Sequence, residues 1–235
     1  MKILNRIIII ALVGWNIIGM QSCMNAPEDN DIGANTDIDS YLAMCTLKLL
    51  AERDYYFALD NGDKMYPGDT TLILNYPLVD GQRTIVRFLP LTANKPGYKY
   101  NVKVIQIENI QSNDIIRLTE ENADSIGNDR INVDRAWLSG NYLNIEYLFY
   151  QSKSPQQPHR LNMVVSPATT AADANYLNLE FRHNACQDEE VVKNVGLISF
   201  RLDSVADAFA GKKGVKVWVN TIYDGKQIYT ADKQK

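Results

Sequence analysis

Histidine is nearly missing from this chain, with only His159 and His183 among 235 residues. General acid–base centres and zinc sites usually draw on more. These two stand apart in the sequence, one in a Pro-flanked loop and the other at the end of an apolar segment. His-Glu-x-x-His, Gly-x-Ser-x-Gly and a Gly-rich phosphate loop are also absent, so zinc-protease, serine-hydrolase and nucleotide-binding chemistry have no motif to rest on. Ser199 lies between apolar neighbours, where a nucleophile would be buried without a base. Carboxylates number 28, yet nothing in their spacing selects a glycosidase pair. Asp188-Glu189-Glu190 lacks the loop spacing of a calcium hand, and Asp60 and Asp63 belong to a turn. No catalytic residue, metal ligand or cofactor is assigned from the sequence.

Excess positive charge is lacking as well. The chain carries 24 Lys and Arg against 28 Asp and Glu. Residues 24–44 hold five acids and no cation, residues 45–128 hold 9 cations against 11 acids, and residues 129–235 hold 13 against 12. The acidity is therefore concentrated near the N-terminus, and neither later region is basic enough to condense onto a phosphate backbone. Nucleic acid is excluded as an expected partner.

A long apolar run occurs once. Lys2 and Arg6 precede the stretch from Ile7 to Ile18, which is broken by Gly14 and Asn16, and Gly19-Met20-Gln21-Ser22-Cys23 follows. Cations, a short apolar core and then small or polar residues make a secretory signal over residues 1–22. The run is shorter than the ~20 residues a spanning helix needs. The segment ending at Cys23 resembles a bacterial lipobox, although Met20 stands where Leu is commoner and Gln21 is larger than usual. Cys23 is accordingly the expected lipidation site, and the membrane is an expected partner through the anchor. Acyl chains hold by apolar burial, about 0.8 kcal/mol per CH₂. Residues 23–40 read as a flexible, disordered stalk, because Met24 to Thr36 is polar and acidic with no periodic apolar face. Glu28 and Asp29 resemble an acidic tag for export to the outer face. The expected location is the bacterial outer membrane, surface-exposed in preference to periplasmic.

From Cys45 onward the pattern is β. Tyr55-Tyr56-Phe57-Ala58-Leu59 and Lys64-Met65-Tyr66-Pro67 flank Asp60-Asn61-Gly62-Asp63, a hairpin whose Asn-Gly supplies positive φ. Further strands are expected over Arg83 to Leu89 and Tyr98 to Asn109; the second has a face that starts apolar and ends polar, as in a strand curving through a small barrel. Residues 119–130 are polar and contain Gly127-Asn128, which places a domain boundary near 127. The second series comprises Ile131 to Leu138, Tyr142 to Tyr150, Arg160 to Val165, Tyr176 to His183, Val195 to Leu202, Val215 to Ile222 and a short strand near Ile228. Six or seven strands in about 105 residues suggest an immunoglobulin-like sandwich. Ser139-Gly140-Asn141 reads as a three-residue hairpin connection, and Asp203 to Ala210 as one or two helical turns. The chain is thus all-β: a barrel over 41–127, then a β-sandwich over 128–235.

Tyr55, Tyr56 and Phe57, with Tyr66, Tyr98 and Tyr100 nearby, are candidate ligand-binding aromatics, since rings on an exposed barrel face stack on sugars or bases. Alternation puts Tyr55 and Phe57 on one face and Tyr56 on the other. His183, between Arg182 and Asn184, is a further candidate polar contact, with a structural role as its alternative. Near-neutral charge favours a protein or neutral saccharide partner. Export permits a disulfide between Cys45 and Cys186, but nothing in the sequence brings them together and two separate thiols remain the alternative. Asp69-Thr70-Thr71, Asp124-Ser125-Ile126 and Asp203-Ser204-Val205 resemble an Asp-Ser/Thr-apolar O-glycosylation signal, making Thr70, Ser125 and Ser204 candidate sites.

The stretch Tyr55 to Gly62 with Tyr66-Pro67, Gly81-Gln82-Arg83, Tyr100 to Val104, Asn113 to Ile116, Gly140 to Glu146, Leu179 to Ala185 and Ser199 to Leu202 resembles the NigD-like lipoproteins of Gram-negative anaerobes. The resemblance covers roughly residues 41–230. It implies an OB-like N-terminal barrel and a C-terminal β-sandwich behind a lipidated stalk, and implies no catalytic residues. The family takes its name from a bacteriocin-associated gene cluster. The expected function is a non-enzymatic envelope lipoprotein with a binding role, linked to bacteriocin production or self-protection. The alternatives are a glycan-acting envelope enzyme and a structural component packed against another lipoprotein.

Overall fold

The computed structural model describes residues 40–51 and 54–233. The signal segment, Cys23 and the stalk up to residue 39 lie outside these residues. Five strands close a barrel in the order β1-β2-β3-β5-β4: β1 Tyr41–Leu49, β2 Tyr55–Leu59, β3 Lys64–Asp69, β4 Arg83–Pro90 and β5 Tyr100–Asn109. The expected hairpin is present, with Gly62 at φ +87° in its turn. The apolar-to-polar switch along β5 has a defined cause. Phe88 pairs with Val104 but Arg87 pairs with Gln106, so Ile105 is an extra residue in the ladder. Such a bulge turns the alternation over: Val102 and Val104 face the core before it, and Ile107 packs against the core after it. Cys45, Leu47, Phe57, Met65, Val86, Val102 and Val104 fill the barrel with no exposure at all.

The second domain has eight strands in the order β13-β12-β10-β9-β6-β11-β8-β7. These are β6 Gln111–Arg117, β7 Asn132–Ser139, β8 Tyr142–Gln151, β9 Arg160–Val165, β10 Leu177–Asn184, β11 Val192–Arg201, β12 Gly214–Thr221 and β13 Gly225–Asp232. The expectation of a barrel followed by a sandwich stands, but the boundary moves from 127 to about 110. The reason is β6, whose first half pairs in parallel with β11 and whose second half pairs in parallel with β9. It switches from one layer of the sandwich to the other and ties them together. Its polar start, Gln111-Ser112-Asn113-Asp114, carries no strand signal. Residues 119–130 are consequently a loop inside the second domain and include a helical turn, α1, Ala123–Ile126.

Three of the second domain's ladders are parallel, including β10 with β12, whereas an immunoglobulin sandwich is antiparallel. The β7–β8 connection has two residues rather than three, since Ser139 pairs with Tyr142. The last strand is longer than expected and pairs with all of β12. Asp203–Val205 forms a 3₁₀ turn that runs into the short helix α2, Ala206–Phe209. The core is continuous between layers, with Leu143, Ile145, Ile198 and Phe200 packed against Met163, Leu179, Val215 and Val217.

Candidate functional sites

On the outer face of the barrel the register sets Lys48 of β1 opposite Tyr56 of β2. Phe57 opposite Met65 places Tyr66 of β3 beside Tyr56. The Tyr98 ring, delivered by the loop before β5, meets Tyr56 at 6.1 Å and Tyr66 at 5.1 Å between centroids. A backbone bond from Lys99 N–H to the Lys64 carbonyl at 2.9 Å holds that loop on β3. The Lys64 ammonium lies 5.2 Å from the Tyr56 centroid and that of Lys95 4.5 Å from Tyr66, each a contact worth about 0.5–1 kcal/mol when exposed. All three rings are half-buried, while Lys64, Lys95 and Lys99 are exposed.

This platform corrects part of the expected ligand set. Tyr55 and Phe57 face inward and belong to the barrel core, where Phe57 is fully buried. Burial pushes the Tyr55 hydroxyl up to about 12, with Tyr76 and Tyr66 adding to the shift. Of the three aromatics, only Tyr56 faces outward. Its partners Tyr66 and Tyr98 were legible as aromatics, but their convergence needs the register and the loop.

The two histidines are brought together although 24 residues separate them. His159 Nδ1 lies 2.9 Å from His183 Nε2, His159 Nε2 3.1 Å from Asp188 Oδ2, and His183 Nδ1 3.1 Å from the Arg130 carbonyl. Phe149 stacks on His159 at 4.6 Å. A carbonyl only accepts, so His183 Nδ1 carries the proton of its contact with Arg130, while His183 Nε2 meets His159 Nδ1. Burial holds His183 below its ordinary range, with the neighbouring His159 adding to this against the Arg130 carbonyl. Asp188 is held down at about 2, chiefly by the Ser152 backbone N–H.

His183 lines an open cleft of about 570 Å³ whose walls include Asp129, Arg130, Asp188 and Glu190. These charged walls and the imidazoles are already engaged. Asp129 accepts from the Ala185 N–H, Arg130 pairs with Glu190, and every imidazole nitrogen is used within the relay. His183 is 2% exposed, so it has no nitrogen free to take a proton from a ligand. The relay clamps the β10–β11 loop, where Cys186 and Gln187 hold φ of +54° and +65°. His159 and Asp188 are the residues sequence reasoning missed, and the Pro-flanked loop around His159 gave no signal.

Cys45 and Cys186 are both free thiols, which corrects the disulfide considered from export. Cys45 is sealed in the barrel against Thr84 Oγ1 at 3.3 Å, and burial pushes its thiol up to about 12. Cys186 sits in the β10–β11 loop with its sulfur toward the Pro158 carbonyl. Among the glycosylation candidates, Thr70 is half-buried in the turn after β3. Ser125 is exposed on α1 and its hydroxyl donates to the Asn122 carbonyl, and the Ser204 hydroxyl donates to the Ile115 carbonyl at 2.7 Å. Ser199 is fully buried and donates to Asn144 Oδ1 at 2.7 Å.

No described helix is long and apolar enough to cross a membrane. The NigD-like N-terminal OB domain matches residues 44–110, and the NigD-like C-terminal beta sandwich domain matches residues 114–232. A crystal structure of a protein of unknown function from Bacteroides vulgatus is 28% identical, with a TM-score of 0.72 over 83% of this chain and 92% of that one. A protein from Parabacteroides distasonis, provisionally described as toxin-related, is 28% identical, with a TM-score of 0.64 over 83% of this chain and 94% of that one. A NigD-like immunity protein from Bacteroides caccae shares the fold at 17% identity, with a TM-score of 0.59 over 80% of this chain and 90% of that one. No curated protein matches the chain.

Proposed function

Since this chain belongs to the NigD-like family, we propose that it is a non-enzymatic envelope lipoprotein whose barrel binds a partner through the outer face of β1, β2 and β3. The observation that carries this reading is the half-buried cluster formed by Tyr56 and Tyr66 on the sheet with Tyr98 from the loop before β5. Tyr56 and Tyr66, held by strands, are pre-organised, so little ordering entropy is lost on binding. The lipobox-like segment ending at Cys23 and the acidic pair Glu28-Asp29 that follows it in the sequence support display at the outer membrane surface. The immunity and toxin-related descriptions of two structural neighbours support a part in bacteriocin self-protection.

Deletion of the gene, complemented by wild-type or Tyr66→Ala protein, tests the role. Wild-type protein should restore resistance to a bacteriocin made by neighbouring strains, and the variant should not. Unchanged sensitivity in the deletion, with no partner crosslinked in native membranes, would remove the proposal. Cys23→Ser should release the protein from the membrane fraction, and protease added to intact cells should degrade the wild-type protein if it faces outward.

A further inference from the structure

We infer that the partner of the barrel face is an anionic saccharide, one bearing carboxylate, phosphate or sulfate groups. The inference rests on the binding role proposed above and narrows its chemistry. The net charge of the barrel region favours a neutral ligand only if charge is spread evenly, and the structure shows that it is segregated. Lys48 stands opposite Tyr56 on the outer face, Lys64 and Lys95 touch the rings of Tyr56 and Tyr66, and Lys99 is fixed next to Tyr98 by its bond to the Lys64 carbonyl. None of these four lysines has an ion-pair partner among the described residues, whereas Lys103, also in the barrel, pairs with Asp69.

Three of the barrel's acids are held away from these lysines. Asp60 binds Arg83, Asp69 binds Lys103 and caps Thr71, and Asp80 accepts from the Leu49 N–H. The gathering of four lysines on this face is a matter of placement, not of composition. Its edge is also defined: two residues along the same strands, the outer face at Thr46 lies under Tyr142 of the second domain, so the platform begins where the inter-domain contact stops.

Three tyrosines and four ammonium groups suit a ligand with flat apolar faces and fixed negative charge. A sugar ring offers C–H faces for stacking, and its acidic substituents reach the lysines flanking each ring. Single-stranded nucleic acid has related features, but an exported, lipid-anchored protein meets acidic glycans of the envelope and its surroundings, and this favours the saccharide.

The test uses the full-length lipoprotein purified in detergent, titrated calorimetrically with oligogalacturonate, heparin oligosaccharide, neutral dextran oligosaccharide and an oligothymidylate. Binding to at least one acidic glycan is expected, weakening as salt is raised, with none to dextran. Tyr66→Ala, and the pair Lys64→Gln with Lys95→Gln, should each weaken it about tenfold or more, the scale of a lost stacked ring. Tyr66→Phe should retain most of it at unchanged thermal stability. Equal affinity for dextran, tighter binding of the oligonucleotide, no binding, or indifference to the variants would each overturn the inference. If a partner is still crosslinked on cells in that event, the binding role stands and only the anionic-glycan assignment falls.

Discussion

Asp60 and Arg83 form a two-pronged ion pair, at 2.5 and 2.6 Å, in which the Arg83 side chain is completely buried. Both belong to the barrel, yet the second domain closes the site. Ser139 Oγ donates to Asp60 at 2.5 Å, Asn144 Nδ2 donates to Ser139 at 2.8 Å, and Ser199 donates to Asn144 in turn. The Tyr142 ring covers the guanidinium at 4.2 Å. One hydrogen-bond chain thus runs from the sandwich core to a charge in the barrel and links the two domains.

Removing the carboxylate should be far worse than removing the pair. Asp60→Ala leaves a buried guanidinium uncompensated and is expected to cost about 3–5 kcal/mol, whereas the double change Asp60→Leu with Arg83→Met should recover much of that loss. Urea denaturation of the two variants tests this. Equal destabilisation would show that the charge is not the source of the cost.

Gly127 and Gly62 both have positive φ, at +73° and +87°, but a Cβ on Gly127 would lie 2.7 Å from the Asn184 Cβ while one on Gly62 meets nothing within 4 Å. Gly62→Ala should therefore cost about 1 kcal/mol for backbone conformation alone. Gly127→Ala should cost clearly more, because α1 must separate from β10. Thermal midpoints that fall equally would contradict the reading.

Stability should decline on acidification in two steps. His183 is held below its ordinary value, so its contribution is complete above about pH 6.5 and is lost as pH falls from there through its folded value. Asp188, lowered from 3.8 to about 2, contributes above pH 3.8 and loses that contribution as pH falls toward 2. Urea midpoints measured from neutral pH downward should fall first below 6.5. His183→Leu should remove this first step, and a midpoint flat from pH 7 to 4.5 would exclude it.

The thiols should differ sharply in reactivity. The thiolate is the nucleophile, and Cys45 is buried with its thiol pushed up to about 12. Iodoacetamide applied to the folded protein should label Cys186 and spare Cys45, and both should react in denaturant without reductant. A Cys45–Cys186 crosslinked peptide in an unreduced digest would contradict the two free thiols.

Much of the fold was legible because alternation is local. The β2–β3 hairpin, β4, β8 and β9 follow from alternating apolar residues and turn glycines. β6 was not legible, because its first half is polar and gains its place only by pairing with β11 and β9. The same limit applies to the sites. Alternation correctly separated Tyr56 from Tyr55 and Phe57, but it could not say which face was outside, and it had no means of bringing His159 to His183.

By itself the sequence determined two β domains, since period-two patterning is a property of neighbouring residues; the export signal and acidic stalk expected around Cys23 lie outside the described residues. Tertiary structure decided the domain boundary, the free state of Cys45, the His159–His183–Asp188 clamp and the gathering of lysines around Tyr56, Tyr66 and Tyr98. Each depends on strand register and loop placement, which are set by contacts between residues far apart in the chain.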